Sequence, residues 1–223
     1  MMLYAEIRRK AWLARFVYWR DMSETRDKRR KSDLDLFVLA LIDSGVSTPY
    51  VLQKEAGLSP GATIPTIQRL LEVGLVRQGK PGPRGRTEYR ITAPGRKHLK
   101  NGWRLLIEEG PSGDLDSDLR VALLAIAVGN AHSLAVEMIK QSAAKMLEMG
   151  EAISRDSDAL APVSLAGMYR RLRSVSARAL LEGQAAAATA IADGLPRKLP
   201  TQRKEANDSS RGKASSRRVK RLK

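Results

Sequence analysis

The run SPGATIPTIQRLLEVGLV, Ser59 to Val76, sets two prolines and a glycine (Pro60, Gly61, Pro65) at the mouth of an otherwise amphipathic helix. Proline fixes φ and lacks an amide donor, so an α-helix accepts it in the first turn and resists it further in. The run is therefore helical only if the chain turns sharply just before it. Ser59 becomes the N-cap and Pro60 the first helical residue, where a missing amide costs nothing. Gly61 leaves the backbone open to close approach, and the positive helix terminus favours an anion there. Pro65 either kinks this helix or lies ahead of its regular part, and the sequence leaves both open. From Pro65 on, Ile64, Ile67, Leu70 and Leu71 form the expected buried face, with Ala62, Thr66 and Arg69 opposite.

Two helices precede this one. DLDLFVLALIDSG spaces Leu34, Phe37, Val38, Leu41 and Ile42 helically, starts at a cap from Ser32 or Asp33 and stops at Gly45. STPYVLQKEAG has Ser47 or Thr48 as cap, Pro49 at the first helical position and Gly57 as its stop. Three helices in about forty residues, two of them short, match helix-turn-helix spacing. Two strand-like stretches follow, LVRQGK (75–80) and TEYRIT (87–92), joined by PGPRGR. A helix-turn-helix with such a hairpin is the layout of a winged helix, with its third helix in a major groove and its wing along the neighbouring backbone or minor groove. Tyr89 is expected in the core.

That layout gives a DNA-facing set of Ser59, Gly61, Ala62, Thr63, Thr66 and Arg69 on the helix, with Arg84 and Arg86 on the wing at phosphates. Each has a competing structural reading. Ser59 and Thr63 also serve as caps alone, Arg69 as a surface partner of Glu72 or Glu55, and Arg84 with Arg86 as solubilisers of a hairpin tip.

The residues Ser59-Pro60-Gly61-Ala62-Thr63-Ile64-Pro65, then Arg69-Leu70 and Gly74-Leu75-Val76, and later GRTEYRITAPGRKHL (85–99), resemble the winged helix of PadR-like transcriptional regulators, the phenolic acid decarboxylase repressor family. The likeness covers roughly 33–110 and the following helices loosely. Ile64 stands where the family usually carries tyrosine. The resemblance implies a repressor that pairs through C-terminal helices and presents two winged helices to a two-fold DNA site.

Charge points the same way. The 223 residues carry a net +16, spread as +6 over 1–32, +3 over 33–110, −2 over 111–195 and +9 over 196–223. The last segment has almost no apolar residues and is expected to be a disordered basic tail, suited to a polyanion or to solubility alone. Cysteine is absent, and the two histidines, His98 and His132, stand apart. With no Walker, dinucleotide or nucleophile constellation, neither catalysis, a cofactor nor a metal site is expected. Asp114, Asp116 and Asp118 are read as helix-start acids meeting the macrodipole, with a metal site the weaker reading. No apolar span suggests a membrane helix or leader, so a cytoplasmic location and no stable membrane insertion are expected.

Beyond the wing, APGRKHLKNGWRLLIEEG continues as a helix. DLDSDLRVALLAIAVGN is apolar nearly all round from Val121 to Val128 and must be buried on more than one side. Two long helices follow, one bearing Leu134, Met138, Met146, Leu147 and Met149, the other ending at Gly194. The expected architecture is mainly α: a basic amphipathic N-terminal extension (1–32), a winged helix-turn-helix domain (33–110), an α-helical dimerisation region (111–195) and the basic tail (196–223). The extension is expected to pack on the dimerisation helices, with a membrane surface or DNA backbone as the other readings. The expected partners are double-stranded DNA and a second copy of the chain, with room for an unidentified small-molecule effector. A sequence-nonspecific architectural DNA-binding protein is the alternative function.

Overall fold

The computed structural model describes residues 28–29, 32–81, 87–158 and 164–199. The expected hairpin tip with Arg84 and Arg86, most of the N-terminal extension and nearly all of the basic tail lie outside the described residues.

The described residues are mainly helical, with one two-stranded antiparallel sheet among them. Helix α1, Ser32–Ser44, ends at Gly45, and α2, Pro49–Ala56, follows at an angle of 101°. Thr48 caps α2 by accepting the Val51 amide, and Gly57 stops it at φ +66°, a left-handed conformation open to a residue without Cβ. Helix α3, Pro60–Glu72, starts where the sequence places it, with the Ser59 hydroxyl accepting the Ala62 amide at 3.3 Å. Pro65 lies inside this helix, so it does not stand ahead of the regular part. Pro65 and Gly61 are both exposed, so the helix can carry a proline there with the carbonyl that would receive its missing amide near solvent.

Strands β1 (Val76–Pro81) and β2 (Thr87–Ile91) pair with Val76 opposite Ile91, Arg77 opposite Arg90 and Gln78 opposite Tyr89. The register then shifts before Pro81 meets Thr87, so Gly79 and Lys80 together oppose Glu88, a bulge that strengthens the local twist. Val76 and Ile91 are buried on the inner face. The Tyr89 amide donates to the Ser47 carbonyl at 2.8 Å, laying the α1–α2 connection along the free edge of β2. Tyr89 itself is half-buried against the core.

Helix α4, Ala93–Glu108, begins so close to the sheet that a Cβ on Gly95 would lie 2.2 Å from the Leu75 carbonyl oxygen. Thr92 fixes this junction, accepting the Gly95 amide and donating to the Gly74 carbonyl at 2.8 Å. Helix α5, Leu115–Gly129, buries Val121, Ala122, Leu124, Ala125 and Ile126 and so is enclosed on several sides as expected. Helices α6 (His132–Asp158) and α7 (Leu165–Gly194) form a long antiparallel hairpin. His132 Nε2 lies 3.0 Å from the Leu195 carbonyl at one end, and Arg178 donates to Ser154 towards the other. The inward face of α6 is Ala135, Met138, Ile139, Ser142, Ala143 and Met146, whereas Leu134 and Leu147 are exposed. Ala185 and Ala188 of α7 are buried too, and their small size allows close helix approach.

A buried polar cluster joins the first helix to the later ones. Asp118 accepts from the Ser112 and Gly113 amides, the Ser112 hydroxyl and the Ser142 hydroxyl at 2.6 Å. Arg29, at the end of the N-terminal extension, reaches Asp118 at 3.5 Å and the Leu106 carbonyl. Asp33 at the start of α1 is fully buried beside Arg120 of α5, at 3.3 Å. Burial holds its carboxyl above the ordinary value, opposed by the Ser117 hydroxyl and the Arg120 guanidinium. Asp118 thus organises the loop before α5. Asp114 caps that helix and Asp116 pairs with Arg120. Among the described residues no group of acids, histidines or cysteines could hold a metal ion.

Candidate nucleic-acid interface

The inward and outward faces of α3 differ from the sequence expectation by one step. The buried residues are Thr63, Thr66, Ile67 and Leu70, both threonines at 0 % exposure. Ile64, expected inside, is 48 % exposed. The reason is local hydrogen bonding. The Thr63 hydroxyl donates to the Ser59 carbonyl at 2.9 Å, one turn back, so its polar atom is satisfied within the helix while the methyl faces the core. The Thr66 hydroxyl accepts from Arg69 Nη2 at 2.9 Å. Each threonine therefore packs as a small β-branched residue without stranding a polar group.

Arg69 is likewise committed inward. Its Nε donates to Asp35 of α1 at 3.2 Å, and its Nη2 donates to the other oxygen of the same carboxylate, a two-pronged pair. That hydrogen bonding raises the pKa of Arg69 above its ordinary value, against burial. Thr63 and Thr66 cannot face a duplex, and Arg69 is a brace between α1 and α3. Ser59 and Gly61 remain exposed and Ala62 and Arg69 half-buried, so of the expected helix set these four reach the surface, Arg69 with its guanidinium engaged by Asp35. No side chain lies within 4 Å of a Cβ added at Gly61, so the backbone there faces open space.

The outward face of α3 consists of Gly61, Ile64, Pro65, Gln68 and Glu72, at helical spacing. It carries no cation. Gln68, with an amide that both donates and accepts, is its one neutral hydrogen-bonding side chain. Beside it, at the start of α2, Tyr50 is 62 % exposed.

Positive charge is gathered on the neighbouring hairpin. Arg77 and Arg90 stand directly opposite one another on the outer face, and both are exposed. They border an open cleft of about 770 Å³ whose walls also include Asp43, Glu88 and Arg96. Arg96 pairs with Asp43 at 3.2 Å, and Arg90 comes within 3.9 Å of Glu88. His98 is exposed, and His132 is occupied with the Leu195 carbonyl.

A second surface lies on the first half of α7. Leu165, Met168, Tyr169, Leu172 and Val175 recur at i, i+3, i+4, i+7 and i+10 and are all exposed, Leu165 at 87 %. Further along the same helix, Ala185, Ala188 and Ala192 are buried. No single helix among the described residues is long and apolar enough to cross a membrane. No protein-family model matches the sequence, and comparison with curated proteins finds no match.

Proposed function

We propose that the protein is a transcriptional regulator that binds duplex DNA as a homodimer through a winged helix built from α1, α2, α3 and the β1–β2 hairpin. The observation that carries this reading is the outward face of α3. A helix fixed by its core residues and by the Asp35–Arg69 brace presents Gly61, Ile64, Pro65 and Gln68 to solvent, beside a basic hairpin. An α-helix fits a major groove, where a glutamine amide can pair with adenine and an aliphatic side chain can meet the thymine methyl. Ser59 and the open backbone at Gly61 suit a phosphate at the helix start. The resemblance to PadR-like regulators supports the same reading and favours repression.

The exposed apolar stripe on α7 supports pairing. A solvent-facing run of this kind is a liability in a monomer and a seam in a dimer, and two copies would bring two α3 helices to a two-fold site. Sedimentation of the full chain at micromolar concentration should give a dimer, and Leu172→Asp should give a monomer.

The absence of any cation on the outward face of α3 favours one other reading, a sequence-nonspecific architectural protein whose affinity comes from the hairpin and the basic ends of the chain. Genomic footprinting separates the two. Sharp, two-fold-symmetric protected sites support the regulator, and diffuse coverage replaces it with the architectural protein.

A further inference from the structure

The register of the hairpin places two arginines, Arg77 and Arg90, face to face. Side chains directly opposite in an antiparallel pair have Cβ atoms roughly 4.5–5.5 Å apart, and like charges at that distance oppose each other. A free hairpin gains nothing from this arrangement. Two carboxylates border the same cleft, yet they do not neutralise the pair: Asp43 is taken by Arg96, and Glu88 approaches Arg90 alone. Arg77 has no acidic partner among the described residues. Gly79 lies tight against β2, where a Cβ would come within 3.2 Å of the Glu88 carbonyl and 3.7 Å of Arg90 Nε, so the Arg90 side chain lies over the glycine. The hairpin sequence 76–91 adds Lys80, Arg84 and Arg86 against the single acid Glu88.

We infer that Arg77 and Arg90 form a two-pronged clamp for the DNA phosphate backbone at the base of the hairpin, distinct from the hairpin tip. The inference rests on the DNA-binding reading above and assigns a role the α3 face cannot fill. A phosphate between two guanidiniums turns an unfavourable pair into two charge-assisted contacts, since each planar fork suits phosphate oxygens. The inner partners Val76 and Ile91 hold both strands against the core, which fixes the two guanidinium stems on the outer face.

The test compares the full chain with Arg77→Gln, Arg90→Gln and Arg77→Lys, titrated with a selected duplex and a scrambled duplex over a range of salt. Each glutamine variant is expected to bind both duplexes more weakly by the same factor, with a salt slope shallower by about one. Arg77→Lys is expected to keep the slope, because the charge remains. Thermal unfolding of the free protein should move upward in both glutamine variants, since the repulsion is relieved, and this readout also shows that they fold. Unchanged affinity and slope in both glutamine variants, with the preference for the selected duplex intact, would overturn the clamp and leave the regulator standing. A full chain that binds neither duplex would overturn both.

Discussion

The outward face of α3 and the outer face of the hairpin lie side by side and are chemically opposite. One carries no cation and is mostly apolar, with Ile64, Pro65, a single amide at Gln68 and the acid Glu72 at its end. The other sets Arg77 against Arg90. A surface meant only to adhere to a polyanion would spread cations over both. On the DNA-binding function proposed above, the difference implies a division of labour in which the helix carries the contacts that distinguish base pairs and the hairpin carries those that any phosphate backbone satisfies.

The comparison can be broken most severely from inside. Leu70 is buried beneath α3, so Leu70→Ala should cost about 2–5 kcal/mol of folding stability, measured by chemical denaturation, and remove both surfaces together. A variant of near wild-type stability would mean that α3 is not held by that core. Next in size, Gln68→Ala should narrow the gap between selected and random duplexes by about 1–3 kcal/mol at unchanged salt slope. If it weakens all duplexes equally, Gln68 belongs to the backbone contacts and the contrast between the two faces fails.

Smaller effects sharpen the frame around the two faces. Arg69→Ala removes the brace to Asp35, a partly exposed pair, and should cost about 1 kcal/mol of stability or less while leaving discrimination per bound molecule unchanged. Loss of base preference with no loss of stability would return Arg69 to the interface. The smallest expected effect is the pH response of Asp33. Its carboxyl titrates above the ordinary 3.8 when folded, so between that value and its raised one the folded chain holds a proton the unfolded chain has released. In that window stability falls as pH rises, and above it the full cost of the buried charge remains. Asp33→Asn should flatten this part of the stability profile, and parallel profiles for the two proteins would contradict the assignment.

Local signals in the sequence located every described element well. Caps and stops at Thr48, Gly57 and Ser59 mark the helix ends because a side chain or a missing Cβ acts within one turn. The hairpin was equally legible from its alternation. The rotation of α3 was not. Reading Ile64 as an inward residue ignored that Thr63, Thr66, Ile67 and Leu70 follow the i, i+3, i+4, i+7 pattern as well, with hydroxyls that bond inside the helix. That clue was present in the spacing. The partner of Arg69 was not, since Asp35 lies 34 positions away and only the fold brings the two together. The opposition of Arg77 and Arg90 depends on register across the turn and on the bulge at Gly79, which composition does not reveal.

The central claim, that α3 reads sequence while the hairpin supplies charge, is tested most directly by selecting duplexes from a random pool with the full chain and with Gln68→Ala. The account predicts that the full chain enriches a two-fold-symmetric site with half-sites about one helical turn apart or a multiple of it. The variant should lose the preference at one position in each half-site and keep the rest. A pool that returns unenriched from the full chain, or an identical motif from both proteins, would contradict it.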